Sequence, residues 1–116
     1  MESIKTIPVY FFKEESGNEP VKKWLYDLGS EDRKIIGKDI RTVQIDWPIG
    51  LPLVRSLGNK LWEIRSNLDN RIARTIFILH NGSIVLLHGI IKKSQKTPSS
   101  DIELALKRAK KVIAGN

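Results

Sequence analysis

The sequence predicts an α+β fold in which helices pack on a mainly antiparallel sheet. Residues 60–91 contain three β-rich apolar runs separated by turn residues, which is the pattern of a three-strand meander. The segments before and after this meander repeat apolar residues at helical spacing. The 116 residues, which include no cysteine, fit a single domain over 1–116 that buries a modest core without disulfides.

The N-terminal third predicts one strand and a pair of helices. Residues 4–12, IKTIPVYFF, are rich in β-branched and aromatic side chains, and Pro8 confines this strand to a sheet edge or to a start after the proline. Asn18 and Ser30 are the predicted N-caps of two helices joined at Gly29, which together form a hairpin that covers the sheet. The predicted core-facing side chains of this hairpin are Val21, Trp24, Leu25, Leu28, Ile36, Ile40 and Val43.

The meander follows the proline-rich segment 47–52, which ends the second helix. LVRSL, residues 53–57, predicts a short edge strand, and the three meander strands occupy about 60–67, 71–80 and 83–91. Asn81-Gly82 predicts a type I′ hairpin turn, because that turn needs positive φ at both central residues. The third strand is apolar on both faces, so we expect a central position, covered on each side. A last helix begins at Ser100, where Ser100 and Glu103 match a capping box.

Positive charge is concentrated in the second part of the chain. The formal net charge is +7, with −1 over residues 1–40 and +8 over residues 41–116. This asymmetry favours a polyanionic partner, nucleic acid first, although a basic surface that is only solvated explains the charge equally well. If the strands pair as a meander, three strand ends meet at one edge of the sheet. The cations expected to converge there are Arg65, Arg71, Arg74, Lys92, Lys93 and Lys96, whereas Lys60 flanks them.

Arg74 conflicts with its neighbours, because alternation places it in a row of isoleucines on one strand face. Such a conflict is expected at a functional site, and the alternative is an arginine that reaches out from the strand end. Cations of this kind can hold a phosphodiester and neutralise the charge that develops during its cleavage. RNA supplies its own 2′-OH nucleophile, so a lysine base and His88 or His80 as the acid would complete a metal-free nuclease. A satisfied core histidine is the alternative for His88.

Four motifs form a specific combination: LWEIR at 61–65, RIAR at 71–74, LLHGIIKK at 86–93 and KTP at 96–98, followed by Ala105 and Arg108 on the last helix. Together they resemble the HigB-type, phage-derived branch of the RelE/ParE toxin superfamily. The resemblance covers almost the whole chain, including the order strand, helix pair, meander, helix. It implies a RelE-like fold and the toxin of a type II toxin–antitoxin pair. It further implies a ribosome-dependent endoribonuclease that cuts mRNA without metal or cofactor.

The resemblance also assigns roles to residues. Arg65 and Arg74 would hold or stabilise the scissile phosphate, with Arg71 supporting them. Lys92 and Lys93 would occupy the place of active-site cations, with Lys96 beside them. RNA-binding roles are also expected for Lys60 and Arg108. The tail AKKVIAGN lacks the histidine or tyrosine that other members use, so His88 is the candidate acid or base.

The same resemblance implies the partners of the protein. A cognate antitoxin, often a helix-turn-helix DNA-binding protein, is expected besides the ribosome and mRNA. No secretory signal or membrane-spanning run is recognisable, so we expect a cytoplasmic protein. Two other functions are compatible with the residues: a ParE-like toxin that poisons gyrase, and a non-enzymatic basic module that binds nucleic acid or the ribosome.

Overall fold

A computed structural model describes residues 6–93 and 96–115, which form five strands and three helices. In chain order the elements are β1 (Val9–Phe11), α1 (Pro20–Asp27), α2 (Ser30–Asp46), β2 (Val54–Gly58), β3 (Leu61–Leu68), β4 (Arg71–His80), β5 (Ser83–Lys92) and α3 (Ser99–Ala114). The sheet order is β1-β5-β4-β3-β2, with β1 parallel to β5 and every other pair antiparallel. The predicted α+β class and its order of elements are confirmed.

The turn residues define the strand ends as predicted. Asn81 and Gly82 have φ of 51° and 73°, which confirms the type I′ turn between β4 and β5. β1 begins directly after Pro8 and lies at one edge of the sheet, while β2 forms the other edge. β5 is an interior strand, although β4 rather than β5 lies in the middle of the sheet. Residues 4 and 5 of the first predicted strand lie outside the described residues.

The predicted helix caps were wrong. Among the described residues, none of the three helices has a side-chain hydrogen bond at its N-cap. The N-cap positions fall on Glu19, Gly29 and Pro98, which lie one residue from Asn18, one from Ser30 and two from Ser100. Ser30 and Ser100 consequently lie inside the first turn, where their hydroxyls cannot act as caps.

Two separate cores cover the two faces of the sheet. We call the side covered by α1 and α2 the hairpin face and the opposite side the α3 face. The hairpin face buries Val21, Leu25, Ile36, Ile40, Val43, Val54, Ile64, Leu68, Ala73, Phe77, Ile84 and Leu86. The α3 face buries Phe12, Leu61, Ile76, Ile78, Val85, Leu87, Ala105 and Ala109. The strands are therefore apolar on both sides, as expected for a sheet with helices on both faces.

Trp24 packs against the core of the hairpin face, which confirms its predicted structural role. It lies directly over Gly89 of β5, where an added Cβ would come within 2.2 Å of the indole ring. The glycine is needed for the close approach of α1 to the sheet, and its φ is not in the left-handed region.

Candidate functional site

Two arginines face each other at the end of the sheet where β3 finishes and β4 begins. Arg65 of β3 and Arg74 of β4 are register partners, and alternation places both side chains on the α3 face. Like charges directly opposite one another across two strands destabilise a sheet. A compensating anion is therefore required nearby.

Glu63 supplies that anion from the same face of β3. Its Oε2 accepts a hydrogen bond from Arg65 Nη1 at 3.3 Å, and its Oε1 lies 3.6 Å from Arg74 Nε. The Thr97 hydroxyl, just before α3, donates a hydrogen bond to Oε1. Both the Glu63 and the Arg74 residues are 0 % exposed. A buried carboxylate with donors on both oxygens is the arrangement that keeps its charge in the interior.

The Arg74 side chain is buried, so it supports the site and does not present a surface to an external ligand. Burial lowers the pKa of Arg74, and Glu63 opposes this effect, while the nearby cations Arg65 and Arg55 lower the pKa further. Arg65 retains a side-chain exposure of 14 %. Of this pair, Arg65 is the guanidinium that an external phosphate can reach in this structure.

A cleft opens beside Glu63 between β2 and the start of α3. It has a volume of about 190 Å³, and its lining includes Arg55, Glu63, Lys96 and Thr97. Arg55 is the register partner of Glu63 on β2, and both Arg55 and Lys96 are exposed. The cleft therefore combines a buried anion with exposed cations at its walls.

The lysines after Arg74 lie along the same end of the sheet. Lys92 pairs in register with Ile72, one step further along the α3 face than Arg74 and its partner Ile90. Lys92 and Lys93 are both exposed. The register thus places Lys92 at the same end of the sheet as Arg65 and Arg74, while Lys96 lines the cleft beside Glu63.

Three predicted site residues are placed elsewhere. Arg71 points to the hairpin face, where its Nη2 lies 3.0 Å from Asp32 Oδ2 of α2. Lys60 is exposed in the turn between β2 and β3, beside the C-terminal half of α3. Arg108 donates from Nη1 to the Leu87 carbonyl at 2.7 Å and stacks over Phe12 with 5.6 Å to the ring centroid.

The contacts of Arg108 indicate a structural role. Burial lowers its pKa, and Glu14 acts in the opposite direction. Its hydrogen bond and ring contact join α3 to β5 and to the residue after β1. These contacts account for a half-buried guanidinium without any ligand.

The two histidines lie at different positions along the β4–β5 hairpin. His88 is half-buried on the α3 face, and its Nε2 lies 2.7 Å from Asp101 Oδ1 in the first turn of α3. His88 pairs with Ile76, which follows Arg74 on the same face of β4. His80 lies beside the hairpin turn, where it pairs with Ser83 and its Nε2 is 3.4 Å from the Asn81 side-chain amide. Of the two, His88 is nearer to the arginines.

The sequence interpretation did not assign three of these residues to the site: Arg55, Glu63 and Thr97. Glu63 had a detectable signal, since alternation places it on the same strand face as the apolar Leu61. Arg65 and Asn67 share that face, so this signal is weaker than the one that made Arg74 conspicuous. Arg55 and Thr97 lie in a short edge strand and a loop, whose pairing with β3 is a property of the tertiary fold.

Within residues 6–93 and 96–115, no group of three His, Cys, Asp or Glu side chains is arranged to hold a metal ion. In the same part of the chain, no helix has the length and apolar character needed to cross a bilayer.

Fold and site together define a small α+β protein with a five-strand mixed sheet and a cationic region at one end of it, an architecture consistent with the RelE-like fold. The profile of the phage-derived Gp49-like protein family (DUF891) matches residues 23–110. The chain belongs to this family, which is part of the RelE/HigB-type toxin group. No curated protein matches the sequence.

Proposed function

We propose that this protein is the toxin of a type II toxin–antitoxin pair and that it cleaves mRNA on the ribosome. Membership of the Gp49-like family supports the toxin role. The observation that carries the nuclease proposal is the buried Glu63–Arg74 pair beneath Arg65. Buried charges are costly, and their place beside exposed cations suits a site that must hold a phosphate in fixed geometry.

The proposed reaction needs no external nucleophile. The ribose 2′-hydroxyl gives its proton to a base while its oxygen attacks the adjacent phosphorus. The bond from phosphorus to the 5′-oxygen breaks, and the 5′-oxygen takes up a proton from an acid. The products are a 2′,3′-cyclic phosphate and a 5′-hydroxyl end. Arg65 stabilises the phosphoryl oxygens, where negative charge accumulates, and Lys92 and Lys96 neutralise the neighbouring backbone. Arg74 contributes from beneath by holding Glu63.

Proton transfer requires a general base for the 2′-hydroxyl and a general acid for the 5′-oxygen. His88 is already tied to Asp101 through Nε2, so a proton-transfer role for His88 requires its other ring nitrogen, Nδ1. The lysines at the surface of the site, Lys92, Lys93 and Lys96, are the remaining candidates for the base.

The test is controlled expression followed by mapping of mRNA 5′ ends. We expect growth arrest and 5′-hydroxyl ends at a fixed position relative to codons. Arg65→Ala should reduce cleavage by about 10²- to 10³-fold, as for the loss of one transition-state donor, and Lys92→Ala should reduce it less. The matched control is Lys34→Ala, which removes an exposed lysine from α2, outside the site. Fully toxic, folded Arg65→Ala and Lys92→Ala variants would contradict the site.

The same experiment separates the alternatives. Growth arrest with intact mRNA and inhibited DNA supercoiling would indicate gyrase poisoning. Ribosome binding without cleaved message would indicate a non-enzymatic module. We also propose a cognate antitoxin, whose acidic or amphipathic segment would be complementary to the basic end of the sheet.

A further inference from the structure

We propose that Thr97 is a positioning residue of the cationic site, and that it acts by fixing the carboxylate of Glu63. The proposal rests on the proposed function insofar as it concerns RNA cleavage. Thr97 lies two residues before α3, and Glu63 lies near the beginning of β3, so their contact joins two parts of the chain that are 34 residues apart. Both residues are buried.

The two carboxylate oxygens of Glu63 have separate tasks. Oε1 accepts from the Thr97 hydroxyl and faces Arg74 Nε, whereas Oε2 accepts from Arg65 Nη1. A carboxylate can rotate about its terminal torsion, which has broad energy minima. The Thr97 hydroxyl selects one orientation of this group. In that orientation, Oε2 is turned toward Arg65 and holds its guanidinium.

The charges around Glu63 explain why the orientation of its carboxylate matters. Arg65 and Arg74 are cross-strand partners with like charges, and Arg55 approaches from β2. Glu63 is the acid that this part of the structure places between the two arginines. If its carboxylate turns, Arg65 loses a partner and is repelled by its neighbours. Arg65 would then leave the position from which it meets a phosphate, and small displacements of this kind reduce catalysis strongly.

Thr97 also connects the site to α3. Lys96 precedes Thr97 in the chain and lines the same cleft as Arg55 and Glu63. Fixing Thr97 against Glu63 therefore fixes the backbone from which Lys96 extends. The hydroxyl of Thr97 thus affects the positions of two cations, Arg65 through Glu63 and Lys96 through the backbone.

The experiment compares Thr97→Val with Thr97→Ser. Valine has nearly the shape of threonine but lacks the hydroxyl, while serine keeps the hydroxyl and loses one methyl group. Single-turnover cleavage of mRNA on purified ribosomes is measured for each full-length variant at a temperature where circular dichroism shows it folded. We expect about a tenfold slower cleavage step for Thr97→Val and a rate within about twofold of wild type for Thr97→Ser. The affinity for ribosomes should change less than the rate.

A second readout needs no RNA. Proton exchange with water at the guanidinium groups of Arg65 and Arg74 is followed by nitrogen-detected NMR. Thr97→Val should accelerate exchange at Arg65, and Thr97→Ser should leave it close to wild type. A residue that only stabilises the fold would lower the melting temperature of the valine variant and leave exchange and cleavage of the folded molecules unchanged.

The outcomes distinguish this proposal from the proposed function. A folded Thr97→Val variant with wild-type exchange and wild-type cleavage would overturn the positioning role, as would a serine variant impaired to the same degree as the valine variant. If the wild-type protein does not cleave mRNA, the proposed function fails. Guanidinium exchange in the same two variants then still decides whether Thr97 positions Arg65.

Discussion

The hairpin face and the α3 face of the sheet each carry an arginine–carboxylate pair, and the arginines are three residues apart on β4. On the hairpin face, Arg71 meets Asp32 at 3.0 Å near the rim, where their side chains are 36 % and 22 % exposed. On the α3 face, Arg74 lies 3.6 Å from Glu63, and both side chains are essentially inaccessible to solvent. The Arg71–Asp32 pair thus has the shorter distance between its charged atoms, but water can also solvate both of its side chains.

This difference indicates what each pair is for. The side chains of an ion pair at the rim are solvated in both the folded and the unfolded protein, so the pair changes the free energy of unfolding only slightly. A buried pair must recover a large desolvation cost, and apolar side chains of similar volume often serve the fold as well or better. The hairpin face, which packs Val, Ile, Leu and Phe, shows that apolar packing suffices in this protein. Burial of Glu63 and Arg74 is therefore better explained by the site above them.

The largest effect that tests this contrast is expected from Arg74→Ala. The substitution leaves the buried Glu63 carboxylate without one of its two guanidinium partners, and we expect a loss of about 3–5 kcal/mol in the free energy of unfolding. Urea denaturation followed by circular dichroism measures it. A loss below about 1 kcal/mol would show that the pair is effectively solvated, as at the rim.

A double substitution removes both buried charges together and leaves Arg65, whose side chain is 14 % exposed, without Glu63. Arg74→Met combined with Glu63→Leu should restore stability to near the wild-type value, because buried ion pairs can be replaced by apolar residues of similar size. The same variant should lack RNA cleavage, since Arg65 loses its partner. Recovery of folding without recovery of activity would separate the two roles of the pair.

The sequence predicted the sheet better than it predicted this site. Alternation and turn residues determine strand faces locally, so Asn81-Gly82 fixed the β4–β5 hairpin and Arg74 was correctly placed among isoleucines. The depth of Arg74 could not be predicted, because it depends on its tertiary surroundings. The role of Thr97 could not be predicted for a similar reason, since its hydrogen-bond partner Glu63 is 34 residues away in the chain.

Residues at the limits of elements were the hardest to predict. Arg71 was expected at the cationic edge because it begins β4, but odd and even positions of a strand point to opposite faces, and Arg71 lies with Ala73 on the hairpin face. Its counter-ion, Asp32, comes from α2 and has no local signal. The prediction of helix caps failed because a shift of one or two residues moves a hydroxyl from the N-cap into the first turn.

An intermediate effect is expected from Gly89→Ala, which tests the packing of the hairpin face. The new Cβ would lie 2.2 Å from the Trp24 ring, so α1 must shift, at a cost of about 1–3 kcal/mol in the free energy of unfolding. Gly37→Ala is the matched control, because no atom lies within 4 Å of an added Cβ there. Alanine in the interior of α2 should stabilise the protein by about 0.5–1 kcal/mol. Equal effects of the two substitutions would contradict the close packing of Trp24.

The smallest effect is expected from Arg71→Ala at the rim of the hairpin face. Because the pair with Asp32 is partly exposed, its loss should cost about 0–1 kcal/mol in low salt. Screening should reduce the difference from wild type further at 1 M salt, where the Debye length is about 3 Å. Urea denaturation at both salt concentrations measures this, with Arg74→Ala in parallel. The buried pair is shielded from ions, so the cost of Arg74→Ala should persist in high salt, and the ratio of the two costs should therefore grow with ionic strength.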